Sequence, residues 1–401
     1  MNRTLRYLAE TASKQEKRII GLMSGTSLDG LDIALCTVAG CGENTRLELV
    51  RFTTCTYPPD VVERLKSIVS VGTVSLEEVT LAHTWLAGLH ADLVLETLSE
   101  WEVDPAEVDC IASHGQTVYH APFVKHGKKG MPDATLQIGD GDHVARKTGI
   151  LTVSDFRQKH TAAGGEGAPM VSLVDRLLYT HETEDRILLN IGGIANFSYL
   201  PSRSSDAEYV TTDTGPGNTL INAAVREHFA REYDRDGQIA AEGAIDSELF
   251  RVMQQDPYFG KPFPKTTGPE MFNLEWVERR IEEADSGGIE PENLVATLTW
   301  LTAQTIVNAI RSVDTGGSAD KPAVYLSGGG MHNNTLVGWL RDLLDGYPVE
   351  SFAAIGYDPD AKEAASFTVL ANETLSGEGF LIDPRQGPER RVNFGKISLP
   401  V

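Results

Sequence analysis

The sequence predicts an α/β protein of two domains, and three observations carry that expectation. First, a strand, a glycine-rich turn and a second strand open at "RIIGLMSGTSLDGLDIALCTV", and the pattern returns at "DRILLNIGGIANFSYL". Second, each pair is followed by a third strand and then by apolar residues at helical spacing. Third, "AVYLSGGGMHNNTLVGWL" reads as strand, triple glycine and helix, the unit by which α/β proteins hold a ligand at the carboxyl end of a strand. A length of 401 residues also exceeds one simple core.

Along the first half, "LELVRFTTCTY" supplies the third strand, and helices are expected at about 60–70 and 75–100. The second helix carries Ala82, Leu86, Leu89 and Leu93 on one stripe. Short strands follow in "DCIASHG", "TLQIGD" and "ILTVSDF", with "DHVARKTG" between the last two as a helix ending on Gly149. In the second half "YVTTDTGPGN" is the third strand, before a helix over about 217–230. A strong helix at 292–312 aligns Leu294, Leu298, Leu301 and Thr305. The repetition is one of pattern, not of residues.

Composition narrows the function classes. Acidic residues outnumber basic ones by 57 to 35, a formal charge of −22, which argues against nucleic acid or an anionic membrane as partner. Cys36, Cys41, Cys55 and Cys110 show no CxxC spacing and read as structural thiols, Cys36 and Cys110 within apolar runs. No apolar run reaches the roughly 18 residues that span a membrane. Residues 1–17, polar and lacking a signal core, are read as an extension, and the protein as cytoplasmic.

The glycine turns suggest phosphate. Gly21, Gly25 and Gly30 allow close backbone approach, while Ser24, Thr26 and Ser27 add hydroxyls beside exposed amides, an anion nest without the lysine of a GxxxxGK[ST] loop. Taken singly, each reads as a plain glycine turn; three of them directly after apolar strands favour a nucleotide. Phosphoryl transfer needs magnesium held by carboxylates and a base for the acceptor's proton. Asp29 suits the metal or the substrate near it, and Asp213 suits the base, although Asp213 also fits an Asx cap. "SDFRQKHTAAGGEGAP" offers Asp155, Arg157, His160 and Glu166 on a loop able to clasp a small polar molecule. His114 and Gln116 follow a strand, where a satisfied structural histidine is the default.

Eight blocks then stand in order: "GLMSGTSLDGLDIAL", "SHGQT", "SDFR…AAGGEGAP", "NIGGIAN", "DTGPGN", "YDRDG", "PKTTG" and "SGGGMHN". Together they resemble the anhydro-N-acetylmuramic acid kinases from about Arg18 to near the C-terminus, with the fungal levoglucosan kinases as close relatives. The resemblance implies the actin-like ATPase fold, two RNase H-like domains with nucleotide in the cleft between them. Domain I would cover 18–155 and regain 361–401; domain II would cover 156–360.

The activity so implied uses ATP and Mg2+. Water attacks the anomeric carbon of a 1,6-anhydro sugar, and the liberated oxygen-6 takes the γ-phosphate. Asp213 would activate the water, and Glu363 would be the second acidic residue. Ser24, Gly25, Thr26, Ser27, Asp29, Gly192, Gly193, Lys265, Gly328, Gly329, Gly330 and Asn333 would hold the nucleotide. Arg157, His114 and Pro169 would meet the sugar, and Asp29, Asp213 and Glu363 would serve the metal. A homodimer is also implied. The block usually read K[ST]TGRE appears here with Pro269 for the arginine, removing a donor and a charge. Levoglucosan as substrate, or an idle sugar or nucleotide sensor, are the competing expectations.

Overall fold

The computed structural model describes residues 2–25, 28–168, 170–314, 321–356, 358–381 and 391–400. The chain begins with α1 (Arg3–Ala12), β1 (Glu16–Ser24), β2 (Gly30–Ala39), β3 (Arg46–Thr56), α2 (Pro59–Lys66) and α3 (Leu76–Glu100). It continues through β4 (Cys110–Ala121), α4 (Phe123–His126), β5 (Ala134–Ile138), α5 (Gly141–Thr148), β6 (Thr152–Ser154), α6 (Phe156–Ala162) and α7 (Val171–Tyr179). Next come β7 (Arg186–Ile191), β8 (Ile194–Leu200), β9 (Val210–Pro216), α8 (Asn218–Phe229), α9 (Gln238–Glu242), α10 (Ser247–Gln254) and α11 (Leu274–Glu283). Then follow α12 (Pro291–Val313), β10 (Ala323–Ser327), α13 (Asn334–Leu343) and β11 (Val349–Ser351). The last elements are α14 (Lys362–Ser376), β12 (Phe380–Leu381), β13 (Arg391–Val392) and β14 (Lys396–Ser398).

Two units result: Met1–Leu178 with Ala361–Val401, and Tyr179–Asp360. In the first, the sheet runs β14-β6-β4-β1-β2-β3, with β5 paired to β4. Its β1, β2 and β3 form an antiparallel meander, while β4 joins β1, and β6 joins β4, in parallel. In the second, the order is β11-β10-β7-β8-β9, with β7, β8 and β9 as the meander and β10 and β11 parallel. Strand for strand this is one RNase H-like order used twice, the pair of domains that defines the actin-like ATPase fold.

The first sheet is covered on both faces, and its strands show why. Ile20, Leu22, Leu31, Ile33 and Leu35 enter the core under α3, whereas Ile19, Ala34, Cys36 and Val38 enter the one under α14. Residues of period two thus serve two cores. Gly21 belongs to this packing: a Cβ there would lie 1.9 Å from the Ala364 carbonyl oxygen. Its role is to let α14 lie on β1, not to approach a ligand. Gly30 likewise starts β2, where a Cβ would meet the Cys55 carbonyl at 2.6 Å.

Two boundaries differ from those read in the sequence. Phe156, Met170 and Val174 join the core that holds Ile19 and Phe367, so α6 and α7 stay with the first unit, beyond the 155/156 boundary. Residues 3–12 form a helix whose Tyr7 and Leu8 pack on that same core, and Lys17 is buried with its ammonium on the Lys14 carbonyl and Asn372 Oδ1. The N-terminal segment is therefore a docked element. All four cysteines are free, with Cys36 and Cys110 buried. No helix among the described residues is long and apolar enough to cross a membrane.

Candidate active site

In the first unit the turn after β1 is braced from beneath. Tyr57 O–H donates to Ser24 Oγ (3.0 Å), Ser24 O–H donates to Gln116 Oε1 (2.6 Å), and Gln116 Nε2 donates to the Gly25 carbonyl (3.2 Å). With the Tyr57 proton given to Ser24, the contact from His90 Nε2 (2.8 Å) must be a donation to the tyrosine oxygen. Burial pushes His90 down to about 4, so the ring is neutral at pH 7 and Nδ1 is a bare acceptor. Ser24 is 1% exposed with its proton committed inward. It supports the turn from below, which differs from the phosphate donor that its residue type suggested. Gly25 is half-buried and Asp29 exposed, while Thr26 and Ser27 lie outside the described residues.

Facing the same sheet end, β4 carries a bulge. Leu22 pairs with Ser113 and Ser24 with Gln116, so His114 and Gly115 together oppose Met23. The bulge turns His114 inward against the Phe367 ring, 4.9 Å between centroids. Arg157, on α6, donates from Nε to His114 Nε2 (2.8 Å) and from Nη1 to the Gly167 carbonyl (2.9 Å). The Gly167 N–H in turn donates to His160 Nδ1 (3.1 Å), so the glycine loop is clasped at one residue from both sides. Burial pushes the guanidinium down from its ordinary range, opposed by the Glu363 carboxylate.

Glu363 opens α14 with its side chain exposed, yet the surrounding protein raises its carboxyl, with Lys362 and Arg157 pulling it back. Lys362 Nζ meets Asp175 Oδ2 at 3.0 Å, a pair almost wholly out of solvent. Arg157, His114 and Glu363 are thus gathered in one unit. Pro169 lies outside the described residues.

The second unit builds its site on another bulge. Asn196 pairs with Asp213 while Ala195 pairs with Gly215, leaving Thr214 as the extra residue of β9. Asp213 Oδ2 accepts the Thr267 N–H (2.9 Å), and the Asp213 N–H donates to the Lys265 carbonyl (3.0 Å). Burial dominates over that donor and pushes the Asp213 carboxyl up to about 6. Lys265 is spent on the architecture. Its ammonium donates to the carbonyls of Tyr258 (3.2 Å) and Phe259 (3.1 Å) and lies 4.6 Å from the Tyr258 ring centroid. It fastens the 258–267 loop that holds Asp213, in contrast to the nucleotide ligand expected from the sequence.

Around the end of β7 the second and third glycine turns meet. A Cβ on Gly328 would approach Asn190 Oδ1 to 2.5 Å, and one on Gly330 would approach the Ile191 side chain to 2.3 Å. The carbonyls of Gly192 and Gly193 accept from the N–H groups at the start of α8, Asn218 and Gly217 at 2.8 Å each. Gly192, Gly193, Gly328, Gly329 and Gly330 therefore form one surface, with Gly193 and Gly329 exposed. Asn333 is buried and caps α13 by accepting the Leu336 N–H (2.9 Å), so its side chain is used by the helix. A separate pocket of about 330 Å³ is lined by Thr214, Phe259, Phe263, Gln304 and Asn308. Lys265, whose carbonyl accepts the Asp213 N–H, also lines this pocket.

A glycine-lined surface and a raised carboxylate occur in a chain whose sequence blocks stand in order. The family model described as anhydro-N-acetylmuramic acid kinase matches residues 17–398. The chain belongs to that family. A protein of that name from Pseudoalteromonas atlantica is 42% identical over 100% of both chains. Another, from Pseudoalteromonas translucida, is 42% identical over 98% of each. A third, from Caldanaerobacter subterraneus, is 37% identical over 100% of both.

For a kinase of this family the donor set fits magnesium that arrives with a nucleotide. Among the described residues no group of three or more His, Cys, Asp or Glu is assembled as a metal cage. Mg2+ commonly takes one or two carboxylates and completes its shell with phosphate oxygens and water. Asp29, exposed in the first glycine turn, is of that kind. Pro269 is exposed two residues beyond the N–H that holds Asp213, so the missing donor leaves that contact intact. Tyr57 and His90 act on the site through contacts that no local motif marks, whereas His160 and Thr267 lie within "SDFRQKHTAAGGEGAP" and "PKTTG".

Proposed function

We propose that the chain is an ATP-dependent kinase of 1,6-anhydro-N-acetylmuramic acid, producing N-acetylmuramic acid 6-phosphate for the recycling of cell-wall sugar. The observation that carries the mechanism is Asp213, a partly exposed carboxylate with one oxygen held by a backbone N–H and a proton affinity near neutrality. Family membership supports the muramic sugar over levoglucosan, and an idle sensor would have no need of such a tuned base.

In this mechanism Asp213 takes a proton from water as the water oxygen bonds to the anomeric carbon. The bond from that carbon to bridging oxygen-6 breaks, and its electron pair stays on oxygen-6. That oxygen attacks the γ-phosphorus of ATP, and ADP leaves. Arg157 and Glu363 meet the sugar, and the glycine surface of 192–193 and 328–330 meets the nucleotide. Asp29 would hold Mg2+ together with phosphate oxygens, and the ion would neutralise charge on the transferring group. A cytoplasmic homodimer completes the reading, supported by the resemblance of the sequence blocks.

The test is incubation of the purified chain with ATP, magnesium and each of the two anhydro sugars. ADP and a 6-phosphosugar are expected from the muramic substrate. No turnover at millimolar concentration, or a clear preference for levoglucosan, would overturn the assignment.

A further inference from the structure

The family resemblance would make His114 a sugar ligand, but its surroundings give it a different task. It is 2% exposed, and both ring nitrogens are engaged within the protein. Nε2 faces Arg157 Nε at 2.8 Å, and a guanidinium can only donate, so Nε2 must be the lone-pair nitrogen. Nδ1 then carries the hydrogen and donates to the Gly115 carbonyl at 2.8 Å. That carbonyl can turn back onto its own neighbour because Gly115 has φ +74°, in the left-handed region, and a Cβ there would meet the Ile138 carbonyl at 2.4 Å. The bulge, the left-handed glycine and the imidazole tautomer therefore form one device.

Its output is the orientation of Arg157. Nε is fixed by His114 and Nη1 by the Gly167 carbonyl, so the plane of the guanidinium is set from two directions. Among the described residues no hydrogen bond is made by Nη2, which leaves that amino group to meet a ligand. Burial pushes His114 down to about 3, so the acceptor persists across the working pH range and never becomes a like charge beside Arg157.

We propose that His114 is a positioning residue for the sugar site: the bulged His114–Gly115 pair presents a fixed acceptor that aims the Arg157 guanidinium at the substrate. The proposal rests on Arg157 being a sugar contact, as proposed above. Two substitutions separate the imidazole's two functions. H114N keeps a donor near the Nδ1 position and loses the distal acceptor, whereas H114Q places an amide oxygen near the Nε2 position.

Michaelis constants for the anhydro sugar and for ATP are measured for both variants, for R157A and for H114N combined with R157A. H114N is expected to raise the sugar KM about tenfold, the scale of a lost bond to a charged group. ATP KM should stay within about twofold, and H114Q should recover most of the loss. In the R157A background H114N should add almost nothing, because its effect runs through the arginine. Should H114N not fold, H114F fills the buried space without an acceptor and repeats the comparison. Additive losses, an H114Q defect equal to H114N, or an equal rise in ATP KM would overturn the proposal. An R157A variant with unchanged sugar KM would instead refute the arginine's assignment, and the proposal with it.

Discussion

The carboxyl of Asp213 makes the kinase reading quantitative. Its ordinary value is 3.8, and burial pushes it up to about 6 despite the Thr267 N–H that favours the charged form. A base must be ionised to accept a proton, so activity should rise with pH through the raised value and level off above it. With a pKa of about 6, roughly nine-tenths of the residue is ionised at pH 7 and roughly one-tenth at pH 5, a tenfold fall in kcat/KM. An unshifted carboxylate would lose less than about a tenth over the same interval. The assay is direct chromatography of the 6-phosphosugar at saturating MgATP, which avoids coupling enzymes with pH profiles of their own. D213N should lower turnover by about two to four orders of magnitude, with residual activity flat over this range. A flat profile in the parent enzyme down to pH 5, or the same inflection surviving in D213N, would refute Asp213 as the base.

Four further outcomes follow from the same contacts. A folded-state carboxyl raised above its unfolded value contributes stability that is full below about 3.8 and lost as pH rises through about 6. D213N should therefore raise stability at pH 8 by about 1–2 kcal/mol, after discounting for partial exposure, and by much less at pH 4, read from urea midpoints. G21A should cost about 2–3 kcal/mol in the same titration, since its Cβ would collide with the Ala364 carbonyl; a change under about 0.5 kcal/mol would contradict the packing role. Y57F removes the donor to Ser24 and should cost about 1–3 kcal/mol while raising the ATP KM through the loosened turn. K265M strips the carbonyls of Tyr258 and Phe259 of their donor, so kcat and thermal stability should fall together with little change in ATP KM; a selective rise in that constant would restore Lys265 as a nucleotide ligand.

Much of the fold was legible because its signals are local. The apolar runs of β1 and β2 that pair as an antiparallel hairpin, and Gly149 at the end of α5, each act within a few residues, and each was found in place. Roles were harder, because residue type shows what a side chain is able to do and not what already occupies it. Ser24, Lys265 and Asn333 all carry the chemistry of a phosphate site, yet their partners are Gln116, the carbonyls of Tyr258 and Phe259, and the Leu336 N–H. The bond from Ser24 spans 92 positions of sequence, a range over which pattern gives no information.

The two bulges show where legibility could have gone further. His114 is followed at once by Gly115, and Asp213 is followed one residue later by Gly215; in both strands the extra residue breaks the alternation beside the functional side chain. A strand interior is a poor place for glycine, which loses more backbone freedom there than other residues and offers nothing to pack. A glycine one or two positions after a histidine or an aspartate, inside a strand, is thus itself a signal of a re-aimed side chain. For "SHGQT" the consequence is that the glycine and the histidine form one functional unit. G115A should then reproduce the sugar defect of H114N in weaker form, because it disturbs the carbonyl that fixes the tautomer while leaving the imidazole in place. Parent-like sugar KM in a folded G115A variant would separate the bulge from the aiming of Arg157 and leave the histidine to act alone.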